Sequence, residues 1–292
     1  MNSVLVVVAP EAALYRDALM TLGTVIGMYG ATPPKVLAPW QACEWTLPTA
    51  DEGARAVITD AIDGIDVDWA LLPAEGRRKK LLVADMDSTI IGCECIDELA
   101  DFAGKKAEIS AITERAMRGE LDFEAALTER VAMLKGLPLS VLQQCFDERV
   151  RLNPGAATMV ATMRAHGARC ALVSGGFTFF TSRVAQMARF DTQRANTLLD
   201  DGATLSGAVG LPILGREAKL EALLEESANT PSDALAIGDG ANDLAMIKAA
   251  GLGLAYRAKP IVAAEADAKI DFTRLETVLF FQGYRRAEFT VA

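Results

Sequence analysis

Apolar positions along this chain follow two rhythms. Over the first 75 or so residues, short runs rich in Val and Leu alternate with stretches where apolar side chains recur every three or four positions. "VLVVVA" reads as a first strand, Leu14 to Tyr29 as a helix, and "KVLAPWQACEW" as a strand region. Ala50 to Asp63 follows as a helix and "VDWALLP" as a last short strand. The basic run "EGRRKK" then reads as a solvated linker to the next unit.

Beyond it, Lys80 to Ala84 reads as a buried strand, carrying a short continuous run of Leu and Val. From Ile96 to about Val150 the pattern is helical throughout. "NPGAATMVATMRAHG" predicts a fresh helix, with Asn153 as its cap, Pro154 at its first position and Gly167 closing it. "ARCALVSGG", "DALAIG" and "LGLAY" are further strands, with helices at "GREAKLEALLEES", "LAMIKAAG" and "KPIVAAEA". Strands alternating with helices predict an α/β fold, a doubly wound parallel sheet. The expected division is a small α+β domain at 1–75 and a core at 76–292 that carries a helical insertion at about 96–150.

Composition narrows the function classes. With 51% hydrophobic and 23% charged residues, this is the make-up of a soluble globular protein. A net charge of −10 argues against nucleic acid as a partner, because phosphate backbones need clustered Lys and Arg. No apolar run reaches the length of a membrane span, and the amino terminus lacks a basic, then apolar, secretory leader. Five scattered cysteines read as reduced thiols of a cytoplasmic protein. Cys93-Glu94-Cys95 lacks a second ligand pair at zinc spacing. The single histidine, His166, sits before a glycine where a helix would end, so acid–base chemistry falls to carboxylates or lysine.

Three predicted strand ends carry unusual chemistry: "DMDST" at Asp85 to Thr89, "SGG" at Ser174 to Gly176, and "GDGAND" at Gly238 to Asp243. Ligands of open α/β sheets bind at such carboxyl ends. Asp85 and Asp87 stand close enough to repel, which calls for a positive partner. Together with Asp239 and Asp243 they form an oxygen-rich set that suits Mg²⁺. Ser174 and the amides after it could hold phosphate oxygens, Gly175 permits close approach, and Lys219 supplies a point charge. A calcium loop fails at Ile90 and Ile96, and neither a P-loop nor a dinucleotide fingerprint is present.

These motifs, in this order, resemble the haloacid dehalogenase superfamily of phosphotransferases, and within it the phosphoserine phosphatase family, from about Lys79 to the carboxyl terminus. The resemblance implies that Asp85 is the nucleophile that becomes an aspartyl phosphate. It implies that Asp87 protonates the leaving alkoxide and later deprotonates water. Mg²⁺ would be held by the Asp85 carboxylate, the Asp87 carbonyl and Asp239, with Asp243 orienting the metal shell. Ser174 and Lys219 would bind the phosphoryl group. The insertion resembles the family's small cap, which implies Glu94 for the substrate ammonium and Arg130 for its carboxylate. Met117 and Phe123 would then be apolar cover and Asn242 a phosphate or substrate contact.

Phosphoserine is thus the expected substrate, and the last step of serine biosynthesis the expected reaction. Another phosphomonoester or a non-water acceptor is the nearest alternative, and an idle amino-acid sensor the more distant one. Residues 1–75 resemble a small amino-acid-binding (ACT-like) regulatory fold. "APEAALYRD" stands where that fold usually carries a glycine, which makes a structural or homodimerising role as strong an expectation as regulation by serine.

Overall fold

A computed structural model describes residues 2–48, 52–118 and 120–291. The amino-terminal part runs β1 (Ser3–Val8), α1 (Ala12–Gly27), β2 (Lys35–Ala38), β3 (Ala42–Leu47), α2 (Glu52–Ala61) and β4 (Asp68–Pro73). Its four strands form an antiparallel sheet in the order β2-β3-β1-β4. Strand side chains alternate between faces. Leu5 and Val7 pack under both helices with Tyr15, Leu22 and Ile58, whereas Val4, Val6 and Val8 join the apolar cluster that includes Leu82, Leu172 and Leu235. Burial on both faces explains why "VLVVVA" has no polar alternation.

The single strand region expected at "KVLAPWQACEW" is two strands. A tight turn at residues 39–41 divides them, with Trp40 at φ 59° and the Gln41 N–H donating to the Ala38 carbonyl at 3.2 Å. No glycine announced this turn. Arg16 lies over the Trp40 ring, 4.9 Å from its centroid. The expected helix start at Ala50 lies outside the described residues.

The core begins with β5 (Leu81–Ala84) and passes into four helices, α3 (Cys95–Phe102), α4 (Lys106–Met117), α5 (Phe123–Ala132) and α6 (Leu139–Arg149). It returns through α7 (Ala156–Ala165), β6 (Arg169–Phe177), α8 (Thr178–Ala188) and β7 (Thr192–Asn196). A small hairpin follows, β8 (Leu198–Asp200) and β9 (Leu205–Val209). The rest is α9 (Arg216–Glu226), β10 (Ala234–Gly238), α10 (Leu244–Ala249), β11 (Leu252–Tyr256), α11 (Pro260–Ala263), β12 (Ala268–Ile270) and α12 (Thr277–Phe281). Six parallel strands stand in the order β12-β11-β10-β5-β6-β7. The chain leaves β5 toward β6 and β7, then returns to β10 on the other side. That reversal opens a crevice at the carboxyl ends of β5 and β10.

Two local expectations are corrected. Helix α7 is capped by Gly155, at φ 89°, and not by Asn153. The Asn153 amide instead donates to the carbonyls of Thr89 and Ile91 at 2.8 and 3.1 Å, bracing the loop after β5. The "EGRRKK" run is no loose linker: Arg77 pairs with Glu44 at 2.8 Å and Arg78 with Glu288 at 2.7 Å. His166 is the residue that ends α7, and Gly167 at φ 86° follows it. Among the described residues no helix is long and apolar enough to cross a membrane.

Candidate active site

Asp85 follows β5, where its N–H donates to the Ile237 carbonyl of the neighbouring strand at 3.0 Å. Its Oδ1 accepts from the Met86 N–H at 2.8 Å and from the Lys219 ammonium at 2.8 Å. Asp87 turns back toward the same point and accepts the Cys95 N–H at 3.1 Å. The chain can double back here because Ser88 adopts a left-handed conformation, φ 55°. Its hydroxyl donates to Glu94 Oε1 at 2.5 Å. A non-glycine residue in that region is a sign of a site that the surroundings hold in place.

Lys219 is buried and bridges Asp85 and Asp243, the latter at 2.6 Å. The second oxygen of Asp243 accepts the N–H groups of Asp239 and Gly240 at 3.2 and 3.1 Å. Gly238 is required beside it, since a Cβ there would run into the Asp243 carboxylate. Asp239 accepts the Thr89 hydroxyl at 2.9 Å. Ser174, buried at the end of β6, takes the Gly176 N–H on its Oγ at 2.9 Å.

One pocket gathers Asp85, Asp87, Asp239, Ser174, Gly175 and Asn242 from the core, and Glu94, Phe123 and Arg130 from the helical insertion. Lys219 and Asp243 stand behind its floor through the contacts just given. The side chain of Met117 lies outside what the structure describes. Phe123 reaches across to the core so closely that a Cβ on Gly175 would sit 2.6 Å from its ring. Arg130 is 5% exposed and is held by the Ala126 carbonyl at 3.0 Å and the Thr113 hydroxyl at 2.9 Å. Thr113 also lies 2.7 Å from Asp97 Oδ1, to which it donates. Among the described residues Arg130 makes no ion pair.

The pocket holds more negative charge than it can neutralise. Burial, then the Asp243 charge, push the Asp85 carboxyl up to about 7 against the pull of Lys219. Burial and the Asp85 charge push Asp87 up to about 6. Burial, then Asp87, push Glu94 up to about 8. Burial works against the Lys219 charge, but Asp243 and Asp85 outweigh it and raise its pKa. Carboxylate oxygens of Asp85, Asp239 and Asp243 lie within 4.8 Å of one another. Both Asp243 oxygens are already engaged. Among the described residues Asp85 Oδ2 and Asp239 Oδ2 accept no hydrogen bond, so these two are the free ligand atoms. An all-oxygen set with excess negative charge fits a hard divalent cation.

Thr113, Thr89, Ser88 and Asn196 support this site and were not singled out from the sequence. Ser88 and Thr89 at least lay inside the "DMDST" motif; Thr113 and Asn196 gave no signal.

The haloacid dehalogenase-like hydrolase family model matches residues 82–248. A phosphoserine phosphatase of Polaromonas sp. (strain JS666) is 46% identical over 208 residues, 68% of this chain and 88% of that one. A HAD family hydrolase of Salmonella enterica serovar Typhi superposes with a TM-score of 0.83 at 30% identity, covering 96% of this chain and 98% of its own. A substrate-bound phosphoserine phosphatase complex gives a TM-score of 0.66 at 36% identity, covering 70% of this chain and 98% of that one. With the motifs, the crevice and these likenesses together, the chain belongs to the haloacid dehalogenase-like hydrolases and, within them, to the phosphoserine phosphatase family.

Proposed function

We propose that the chain hydrolyses O-phospho-L-serine to L-serine and inorganic phosphate, as the last step of serine synthesis. The observation that carries this is the buried Arg130 guanidinium, which has no carboxylate partner among the described residues and shares a pocket with Asp85, Asp87 and Ser174. A buried arginine left unpaired asks for an anion from the ligand. Glu94 on the same wall asks for a cation. A small amino acid bearing both charges and a phosphate meets all three needs.

Asp85 attacks phosphorus, forming an aspartyl phosphate as the bond to the serine oxygen breaks. Asp87 gives that oxygen its proton, then takes one from the water that cleaves the anhydride and restores the Asp85 carboxylate. Lys219 and Ser174, whose Oγ the Gly176 amide holds, bind the phosphoryl oxygens, and Asn242 stands beside them. Asp85, Asp239 and the Asp87 carbonyl would hold a divalent cation, Mg²⁺, which would supply charge stabilisation at those oxygens. Asp243 fixes Lys219 and the 239–240 backbone from behind. Catalysis falls to residues 76–292, with 96–150 as the substrate cap, and all five cysteines being free fits a cytoplasmic home.

The test is phosphate release from a panel of phosphomonoesters, with MgCl₂ or with EDTA, beside an Asp85→Asn control. We expect Mg²⁺-dependent turnover of L-phosphoserine above the other esters, abolished in the control. Equal turnover of esters that lack a carboxylate would overturn the substrate assignment.

A further inference from the structure

Beyond the residues that touch substrate, we propose that Asn196 is a positioning residue that aims the Ser174 hydroxyl, through the Gly176 amide that holds it, and Lys219 at one phosphoryl site; this rests on the phosphomonoester chemistry proposed above. Asn196 ends β7 and is 2% exposed. Strands β6 and β7 pair in step from Ala171 to Val173, then lose register: Val173 faces Arg194, but Phe177 faces Asn196. Four residues of β6 advance over two of β7, so "SGG" bulges away from the ladder. Bulges of this kind re-aim the groups they carry.

The Asn196 side chain spans the gap that the bulge leaves. Its Nδ2 donates to the Gly175 carbonyl at 2.8 Å and to the Leu214 carbonyl at 3.2 Å. Its Oδ1 accepts the Leu214 N–H at 2.6 Å. Both amide hydrogens and the oxygen are used, so the side chain has one orientation.

Each arm has a consequence at the site. In a trans peptide the C=O and the following N–H point to opposite sides. With the Gly175 carbonyl tied back to Asn196, the Gly176 N–H faces the pocket, where it donates to Ser174 Oγ. A Cβ on Gly176 would lie 2.7 Å from Asp87 Oδ2, which places this peptide beside the reacting groups. The other arm fixes Leu214, and the next carbonyl, that of Gly215, accepts the Lys219 N–H at 3.3 Å. Holding Leu214 therefore holds the start of α9 and the ammonium 2.8 Å from Asp85. One amide couples two phosphoryl-binding groups that lie more than forty residues apart in the chain.

The test compares Asn196→Asp, which keeps the shape but loses both donated bonds, and Asn196→Ala with the parent enzyme. Three quantities are read on folded protein: kcat for phosphoserine, inhibition by orthophosphate, and inhibition by L-serine, which has no phosphoryl end. We expect kcat to fall about a hundredfold, as for a misplaced catalytic group, and orthophosphate inhibition to weaken about tenfold. Inhibition by L-serine should stay within about twofold, because the cap groups are untouched. Folded variants with unchanged kcat and phosphate inhibition would overturn the proposal. So would equal weakening of both inhibitors, or failure of both variants to fold, since Asn196 would then serve the fold and not the site. If the parent prefers a different phosphomonoester, the substrate assignment fails while the same comparison on that ester still decides the role of Asn196. A parent with no phosphatase activity sinks both.

Discussion

Arg130 illustrates how much one buried charge can decide. Its Nε and Nη1 are spent on the Ala126 carbonyl and the Thr113 hydroxyl, which leaves Nη2 for a ligand. Arg130→Ala should raise KM for phosphoserine on the order of a hundredfold, the usual effect of truncating one side of a desolvated charge pair. Esters without a carboxylate should be hydrolysed as before; steady-state kinetics on both kinds of ester reads the difference. Thr113→Val leaves the arginine in place but removes its brace, so the KM effect should be smaller and of the same sign. The reacting residues were legible in the sequence because phosphoryl chemistry restricts their types: two carboxylates a residue apart, a lone lysine, a Ser-Gly-Gly. Thr113 and Asn196 were not, because a threonine on a helix and an asparagine at a strand end look like ordinary surface or turn residues. Only the tertiary fold brings them against Arg130 and Gly175.

At the scale of elements, the apolar runs located β5, β6, β10 and β11, which are buried along most of their length; β7, with its polar Thr-Gln-Arg-Ala-Asn, and the three-residue β12 gave no such run. The periodicity marked the insertion as helical without dividing it into four helices. It failed where a boundary depends on a remote neighbour. Asn153 and Pro154 carry the usual helix-start chemistry, yet the helix starts after Gly155 because Asn153 is drawn to the carbonyls after β5. Gly155 is constrained twice: its φ is 89°, and an added Cβ would lie 2.7 Å from the Glu276 backbone nitrogen. Gly155→Ala should therefore destabilise the protein by about 2–4 kcal/mol, more than an exposed helix-start substitution would. Urea unfolding reads the value; a loss below about 0.5 kcal/mol, typical of a neutral surface change, would show that the α7–α12 contact yields easily.

For the molecule as a whole, the amino-terminal sheet is fastened to the core by buried polar clasps as well as by apolar packing. Asp68 on β4 accepts the N–H groups of Asp271, Phe272 and Thr273 at 2.8, 3.2 and 2.8 Å. Glu44 on β3, 6% exposed, takes Arg77 at 2.8 Å and Lys35 at 2.6 Å. Arg77 also reaches the Phe281 carbonyl at 3.4 Å, which ties that clasp to α12. Burial alone would raise the Glu44 pKa, but the bonds from Lys35 and Arg77 outweigh it and hold the carboxyl below its ordinary 4.5. A carboxyl depressed in the folded state contributes stability that is fully present above its unfolded pKa and is lost as pH falls through the folded value. Glu44→Gln should thus be less stable than the parent at pH 7, because it leaves a buried Arg77 without its anion. As pH drops below about 4.5 the unfolded parent takes up the proton first and the folded Glu44 follows at its lower pKa, so the two stability curves should converge. Urea midpoints of both proteins between about pH 3 and pH 7 decide it, since other titrating groups are common to the pair. A gap that stays constant across that range would mean that the Glu44 charge does not hold the two sheets together.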